Sequence, residues 1–169
     1  INKSGRVWSN LDLEDVIKNM RSVTDSSNGI FNPLNRNIIA PEKYFDITIE
    51  EPWAYYSYGE KKGFLSIKGT IDLVTEIDKN RLEYIDYKTG RRWSWSGDYI
   101  KEYQDLKSDP QLLLYFYALC KLYPQYRFIY VTIFFTKDGG PFTIAFDKEK
   151  DSANAINMIK KNFLQIKNC

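Results

Sequence analysis

The sequence predicts an α/β (α+β) fold: a central mixed β-sheet flanked by helices, in the order helix, three strands, helix, two strands, helix. Three observations carry that expectation. Two β-forming segments, Phe64 to Glu76 and Leu82 to Lys88, flank a polar turn; the apolar run QLLLYFYALCKLY follows an Asp-Pro start; a second β-rich stretch leads into a helix-periodic tail edged with lysines.

Leu11, Val16, Ile17 and Met20 fall near helical spacing with Asn10 or Asp12 as a cap, so residues 11–21 are expected to form a short helix. Ser22 to Pro41 is rich in Ser, Asn, Gly and Pro and reads as a loop. Tyr44 to Tyr58 reads as extended, turned at Glu60-Lys61-Lys62-Gly63 into Phe64 to Glu76, which Asp78-Lys79-Asn80 turns into Leu82 to Lys88. Three antiparallel strands are expected. Arg91 to Leu106 is a polar, Trp-bearing connection. Asp109-Pro110 then supplies a capping side chain and a proline at the first helical position, and Pro124 stops the helix. Arg127 to Thr136 is strongly β-forming, and Asp138-Gly139-Gly140 turns it into Phe142 to Phe146. Asp151 to Lys167 carries Ala155, Ile156, Ile159, Phe163 and Ile166 at helical spacing. The whole is expected to be one domain, residues 1–169, and the opening Ile1 suggests a piece excised from a longer chain.

The central hairpin places chemistry. A turn at Asp78-Lys79-Asn80 pairs Glu76 with Leu82, Val74 with Tyr84 and Asp72 with Asp86. Alternation then puts Asp86 and Lys88 on one face while Tyr87 looks the other way. Opposed β-carbons lie about 5 Å apart, where like charges repel. Two carboxylates so close call for a cation, a shared proton or open water, and oxygen ligands suit Mg²⁺ or Mn²⁺. On an exposed face such charges serve solubility alone, but Ile71, Leu73, Val74 and Ile85 make these strands central.

Composition narrows the chemistry. Hydrophobic residues at 43% in a chain of 169 suffice for one buried core, and the thirteen Tyr, ten Phe and four Trp are mostly core volume. A formal charge of +2 does not identify a nucleic-acid partner, so any such contact must be local. The chain has no histidine, which excludes Ser-His triads, Cys-His nucleophiles and His-ligated zinc sites in their usual forms. Hydrolysis would have to run on carboxylates, lysine and a metal. Two cysteines, Cys120 in an apolar run and Cys169 at the end, argue against a disulfide framework and for a reducing cytoplasm. No apolar run approaches the about 18 residues of a membrane span, so no membrane partner is expected.

Gly69-Thr70-Ile71-Asp72, Asp86-Tyr87-Lys88-Thr89-Gly90 and the pair Gln111 and Tyr115 together resemble the PD-(D/E)XK nuclease superfamily, in its RecB-like exonuclease branch. The three match, in order, the GxxD, D/ExK and QxxxY motifs, and the set covers residues 69 to 115. The resemblance implies a restriction-endonuclease-like core and a metal-dependent DNA nuclease, an exonuclease serving recombination, repair or phage DNA processing. It implies Asp72 and Asp86 as ligands, Tyr87 through its backbone carbonyl, and Lys88 near the attacking water. Gln111 and Tyr115, four apart, share a helix face and reach DNA phosphate or brace the site. The implied partner is single- or double-stranded DNA, with a helicase or other recombination protein beside it.

Many RecB-like nucleases carry an upstream His ligand that this chain lacks. The expected register sets Glu51 opposite Asp72 as the third ligand, with Glu50 the alternative because a one-residue slip exchanges the two faces. The missing His also leaves open a nuclease-shaped DNA-binding or scaffolding module that no longer cleaves. Arg91, Arg92, Trp93 and Trp95 follow the motif and are candidates to hold a phosphate and stack a base. Some relatives bind an iron–sulfur cluster through several cysteines; one at Cys169 holds none, and no cluster is expected.

Overall fold

The computed structural model describes residues 10–25, 29–93, 99–137 and 140–167. Four helices are described: α1 (Asn10–Thr24), α2 (Tyr103–Lys107), α3 (Pro110–Leu122) and α4 (Lys148–Lys167). Seven strands accompany them: β1 (Asn37–Thr48), β2 (Tyr55–Tyr58), β3 (Lys61–Phe64), β4 (Ser66–Asp78), β5 (Arg81–Lys88), β6 (Phe128–Phe135) and β7 (Gly140–Asp147). Five form a mixed sheet in the order β1-β4-β5-β6-β7, parallel only between β5 and β6; β2 and β3 make a separate hairpin. The parallel step follows from chain path, because β5 and β6 are joined through α2 and α3 rather than by a tight turn. This is the mixed sheet flanked by helices that the sequence predicts.

The main core lies between the sheet and α3 with α4. Leu82 and Tyr84 of β5, Ile129, Val131 and Ile133 of β6, and Ile144 and Phe146 of β7 present one face by period-two alternation. Leu112, Leu113, Phe116 and Leu119 of α3 cover it, with Phe116 stacked on Phe146 at 4.7 Å. Each such side chain contributes about 1.5–3 kcal/mol by leaving water. Asp109 caps α3 by accepting from the Gln111 N–H at 2.9 Å, with Pro110 at its first position, as expected.

The reverse face of the sheet is held by a buried charge. Glu83 accepts from Thr132 Oγ1 at 2.7 Å and Thr75 Oγ1 at 3.2 Å, and pairs with Arg36 at 3.1 Å. Arg36 lies over the Phe31 ring at 5.0 Å, and the Phe31 carbonyl accepts from the Tyr87 hydroxyl at 2.9 Å. A buried carboxylate needs such partners, since its desolvation otherwise outweighs what the fold gains.

The N-terminal half departs from expectation. Residues 37–41, read as loop, belong to β1, which tolerates Pro41 because it is the edge strand and needs no second ladder partner there. The long strand expected over Tyr44 to Tyr58 is two strands, interrupted by a 3₁₀ turn at Pro52–Ala54. Tyr58 pairs with Lys61 across Gly59-Glu60, and Gly59 takes φ +56, the left-handed conformation that glycine adopts freely. The expected turn of Asp138-Gly139-Gly140 falls partly outside the described residues. Arg91 to Leu106, read as connection, ends in α2, where Glu102 and Asp105 form a reciprocal cap.

Gly69 lies opposite Phe45 in the β1–β4 ladder, and a β-carbon there would sit 2.8 Å from Phe45 Cζ. Phe45 is buried, so its ring has little room to yield. Gly69→Ala is expected to cost about 1–3 kcal/mol, read as a lower midpoint in urea denaturation, with partial recovery when Phe45→Leu is added.

Candidate functional site

The site forms where β4 parts from β5. Their ladder runs from Asp78 opposite Arg81 to Leu73 opposite Ile85 and stops there, while β4 continues against β1. Ile71 and Val74 both enter the main core, so strict alternation breaks between them, and Asp72 sits in that break. Its carboxyl stands close enough to that of Asp86, the partner expected from the hairpin register, for the two acids to act on each other directly. Asp86 and Lys88 continue the core face of Leu82 and Tyr84 and line a cleft of about 520 Å³ with Gln111 and Leu112 of α3. The Tyr87 side chain turns to the reverse face, toward Phe31.

Electrostatics follow from this crowding. The Asp72 pKa is pushed up to about 6, by burial first, then by the charge and close approach of Asp86, with Lys88 opposing and Glu42 adding to the rise. The Lys88 ammonium lies 2.7 Å from Asp86 Oδ2. Burial pulls its pKa down, but the close pairing with Asp86, followed by the charge of Asp72, outweighs this and holds it above the ordinary lysine range. Although close, that ammonium does not approach Asp86 Oδ2 along a hydrogen-bonding direction. The oxygen, sealed from solvent, is left with no aligned donor among the described residues. A buried carboxylate oxygen with spare acceptor capacity, beside a second acid that is reluctant to ionise, fits a hard divalent cation. Tyr84, buried beneath, has its hydroxyl pKa driven far up by burial and then by Asp86, so it stays protonated and adds no further negative charge beside the acids.

The third acid is not the expected one. Pro41 pairs with Leu73 and Lys43 with Ile71, which sets Glu42 across from Asp72. Glu42 holds φ +46, an uncommon conformation for a residue with a β-carbon. Glu51 instead precedes the Pro52–Ala54 turn and stands near Tyr117, whose hydroxyl pKa it raises after burial. The register with Glu51 opposite Asp72 is therefore overturned: the Tyr55–Phe64 hairpin closes on itself and never meets β4. Glu50, two residues beyond the end of β1, has no ladder partner either. Among the described residues no three His, Cys, Asp or Glu side chains are gathered as a ready-made cage, so the two aspartates are the preorganised part.

The remaining expected residues divide. Gln111 Nε2 donates to the Tyr115 hydroxyl at 3.3 Å, and Tyr115 packs edge-on against Tyr84 at 5.1 Å, behind the acids. Arg91 and Trp93 line the cleft. Arg92 leaves it, with its guanidinium over the Phe142 ring at 4.7 Å. Trp95 lies outside the described residues. Lys101, which sequence reasoning missed, also lines the cleft and pairs with Asp109 Oδ2 at 3.1 Å. No motif marks it; only the bridge between Trp93 and Ile100 brings it there.

The PD-(D/E)XK nuclease superfamily profile matches residues 5–168. A comparison with curated proteins returns no match. Among solved structures the chain is similar to the crystal structure of SSO0001, at 16% identity and a TM-score of 0.38, over 94% of this chain and 60% of that one. The chain thus spans less than two thirds of the SSO0001 chain.

A carboxyl whose folded pKa lies above its unfolded value of 3.8 stabilises the fold at low pH, and that contribution is lost as pH rises through about 6. Asp72→Asn is therefore expected to melt like the parent near pH 4 and above it at pH 7 to 8 in metal-free buffer. Thermal melts across that range check this. Mn²⁺ is expected to raise the parent's melting temperature more at pH 7.5 than at pH 5.

Proposed function

We propose that this chain, which belongs to the PD-(D/E)XK nuclease superfamily, is a divalent-metal-dependent deoxyribonuclease of the RecB-like kind, acting as an exonuclease. The observation that carries the reading is the approach of Asp72 to Asp86 beside the Lys88 ammonium, which lies 2.7 Å from Asp86 Oδ2, at a cleft that Asp86 and Lys88 line. Asp72, Asp86, Glu42 and the Tyr87 carbonyl are the oxygens that would hold Mg²⁺ or Mn²⁺. What such an ion supplies when bound is Lewis acidity toward water and charge compensation on the scissile phosphate.

The protein's own groups have derivable parts. Because its pKa is raised, Lys88 remains an ammonium at neutral pH and serves as a donor to developing phosphate charge rather than as a base. Tyr84 and Tyr115 confine Asp86 and Lys88 from below, which limits reorganisation during the reaction. Gln111, exposed at the mouth, is placed to donate to a strand phosphate. Cys120 is buried with its thiol pushed up to about 11, unsuited to a thiolate ligand, and no iron–sulfur cluster enters the reading.

DNA, single- or double-stranded, is the substrate this reading implies. Recombination, repair or phage DNA processing in the cytoplasm is its setting, with a helicase or recombination protein as companion. The support is the ordered motif set from Gly69 to Tyr115. Among the described residues no helix is long and apolar enough to cross a membrane.

Labelled single- and double-stranded DNA incubated with Mg²⁺ or Mn²⁺ tests the activity. Asp86→Ala is expected to abolish cleavage, and Lys88→Ala to lower kcat by about 10²–10³-fold. Equal activity in all three proteins would sink the assignment, whereas binding without cleavage by the parent would mark a scaffolding module. A second comparison addresses the third acid: Glu42→Gln is expected to raise the Mn²⁺ concentration needed for half-maximal rate several-fold, while Glu51→Gln leaves it unchanged.

A further inference from the structure

The cleft extends past the acids between the ends of β5 and β6 and the start of α3. Its floor is apolar, made by Leu106, Leu112, Ile133 and Phe135, although it adjoins two carboxylates and an ammonium. A metal site alone needs no such floor. At its rim Trp93 keeps 44% of its surface exposed, where the bridge to Ile100 and the Lys101 N–H bond to the Arg92 carbonyl at 2.9 Å hold it. An exposed tryptophan at the mouth of an apolar cavity offers a stacking surface to a flat ligand.

The charges are complementary to a nucleotide. Lys88, Arg91 and Lys101 face the cleft against Asp86 and Asp109. Lys88 is engaged with Asp86, and Lys101 with Asp109, which already caps α3 through its other oxygen. An incoming phosphate would exchange for one half-buried ion pair at Lys101 and meet Arg91 without displacing the cap. The volume of about 520 Å³ falls in the range of about 300–1,000 Å³ that single small ligands fill. A base paired at a duplex end keeps its inner face and Watson–Crick edge covered and carries its complement with it, so it cannot enter the cleft to lie against both Trp93 and the floor.

We propose that this cleft receives one unpaired nucleotide of the substrate strand, its base against Trp93 and the apolar floor and its phosphate at Arg91 and Lys101. The proposal rests on the nuclease reading for the identity of the strand, and makes Trp93 and Lys101 binding residues that select unpaired over paired ends.

The test uses the full chain carrying Asp86→Asn. It is titrated onto single strands bearing 2-aminopurine at the 5′ or the 3′ terminal nucleotide, and onto the same nucleotides paired in a blunt duplex. Fluorescence quenching on at least one single strand, absent from the duplexes, is expected. Adding Trp93→Ala is expected to weaken binding about ten-fold or more and remove the quench, with Trp93→Phe restoring both. Lys101→Met is expected to weaken binding and lower the slope of log K against log salt by about 0.7. Quenching equal on duplex and single strand, or full affinity and quench in Trp93→Ala, overturns the proposal; thermal melts identify a variant that has simply unfolded, and Trp93→Phe then decides. If the parent cleaves no DNA yet the quench pattern holds, the nucleotide pocket stands and the catalytic reading alone falls.

Discussion

Repulsion between two carboxylates is the constraint around which the rest is arranged. Asp72 and Asp86 are brought together by a hairpin whose apolar neighbours, Val74, Tyr84 and Ile85, are fully buried. The strands cannot separate to relieve the charge without exposing those side chains, and burying each of them contributes about 1.5–3 kcal/mol. Relief comes instead from chemistry at the acids: the raised pKa of Asp72, which favours its neutral form, and the adjacent Lys88 ammonium. The core thus stores an electrostatic cost that a bound cation would remove, and this is how a hydrophobic sheet prepares a hydrophilic site.

The reverse face does complementary work. Tyr87 separates Asp86 from Lys88 in the chain, and its side chain is tied through Phe31 and Arg36 to the buried Glu83. Glu83 is itself fastened by threonines from β4 and β6. β5 is consequently gripped on both faces and by both neighbouring strands, so its site residues have little freedom of rotation. Precision of this kind is what oxygen ligands need, since misplacement by about 1 Å costs a reactive site much of its effect.

Much of this was legible in the sequence because it depends on short-range rules. The turn at Asp78-Lys79-Asn80 fixes pairing within a few residues, so Glu76 with Leu82 and Val74 with Tyr84 could be matched by counting, and Asp109-Pro110 announces a helix start without tertiary information. β1 was misread because its register depends on features that counting cannot see. Pro41 suggested a loop, although an edge strand accepts proline, and the Pro52–Ala54 turn broke what looked like one continuous strand. The observed register brings Glu42, rather than Glu51, across from Asp72. Lys101 was invisible for a different reason: it reaches the cleft through a bridge spanning Trp93 and Ile100, with no periodic pattern behind it.

The edge position of β1 has an evolutionary corollary. Asp72, Asp86 and Lys88 stand on strands flanked on both sides, where an inserted or deleted residue would rotate a whole buried face into solvent. β1 has one neighbour and already absorbs irregularity at Ile38 to Ala40 and at Glu42. Length changes there would slide a different side chain past Asp72 while sparing the central pair. Divergence among proteins built this way should therefore be least costly at the edge-strand position facing Asp72.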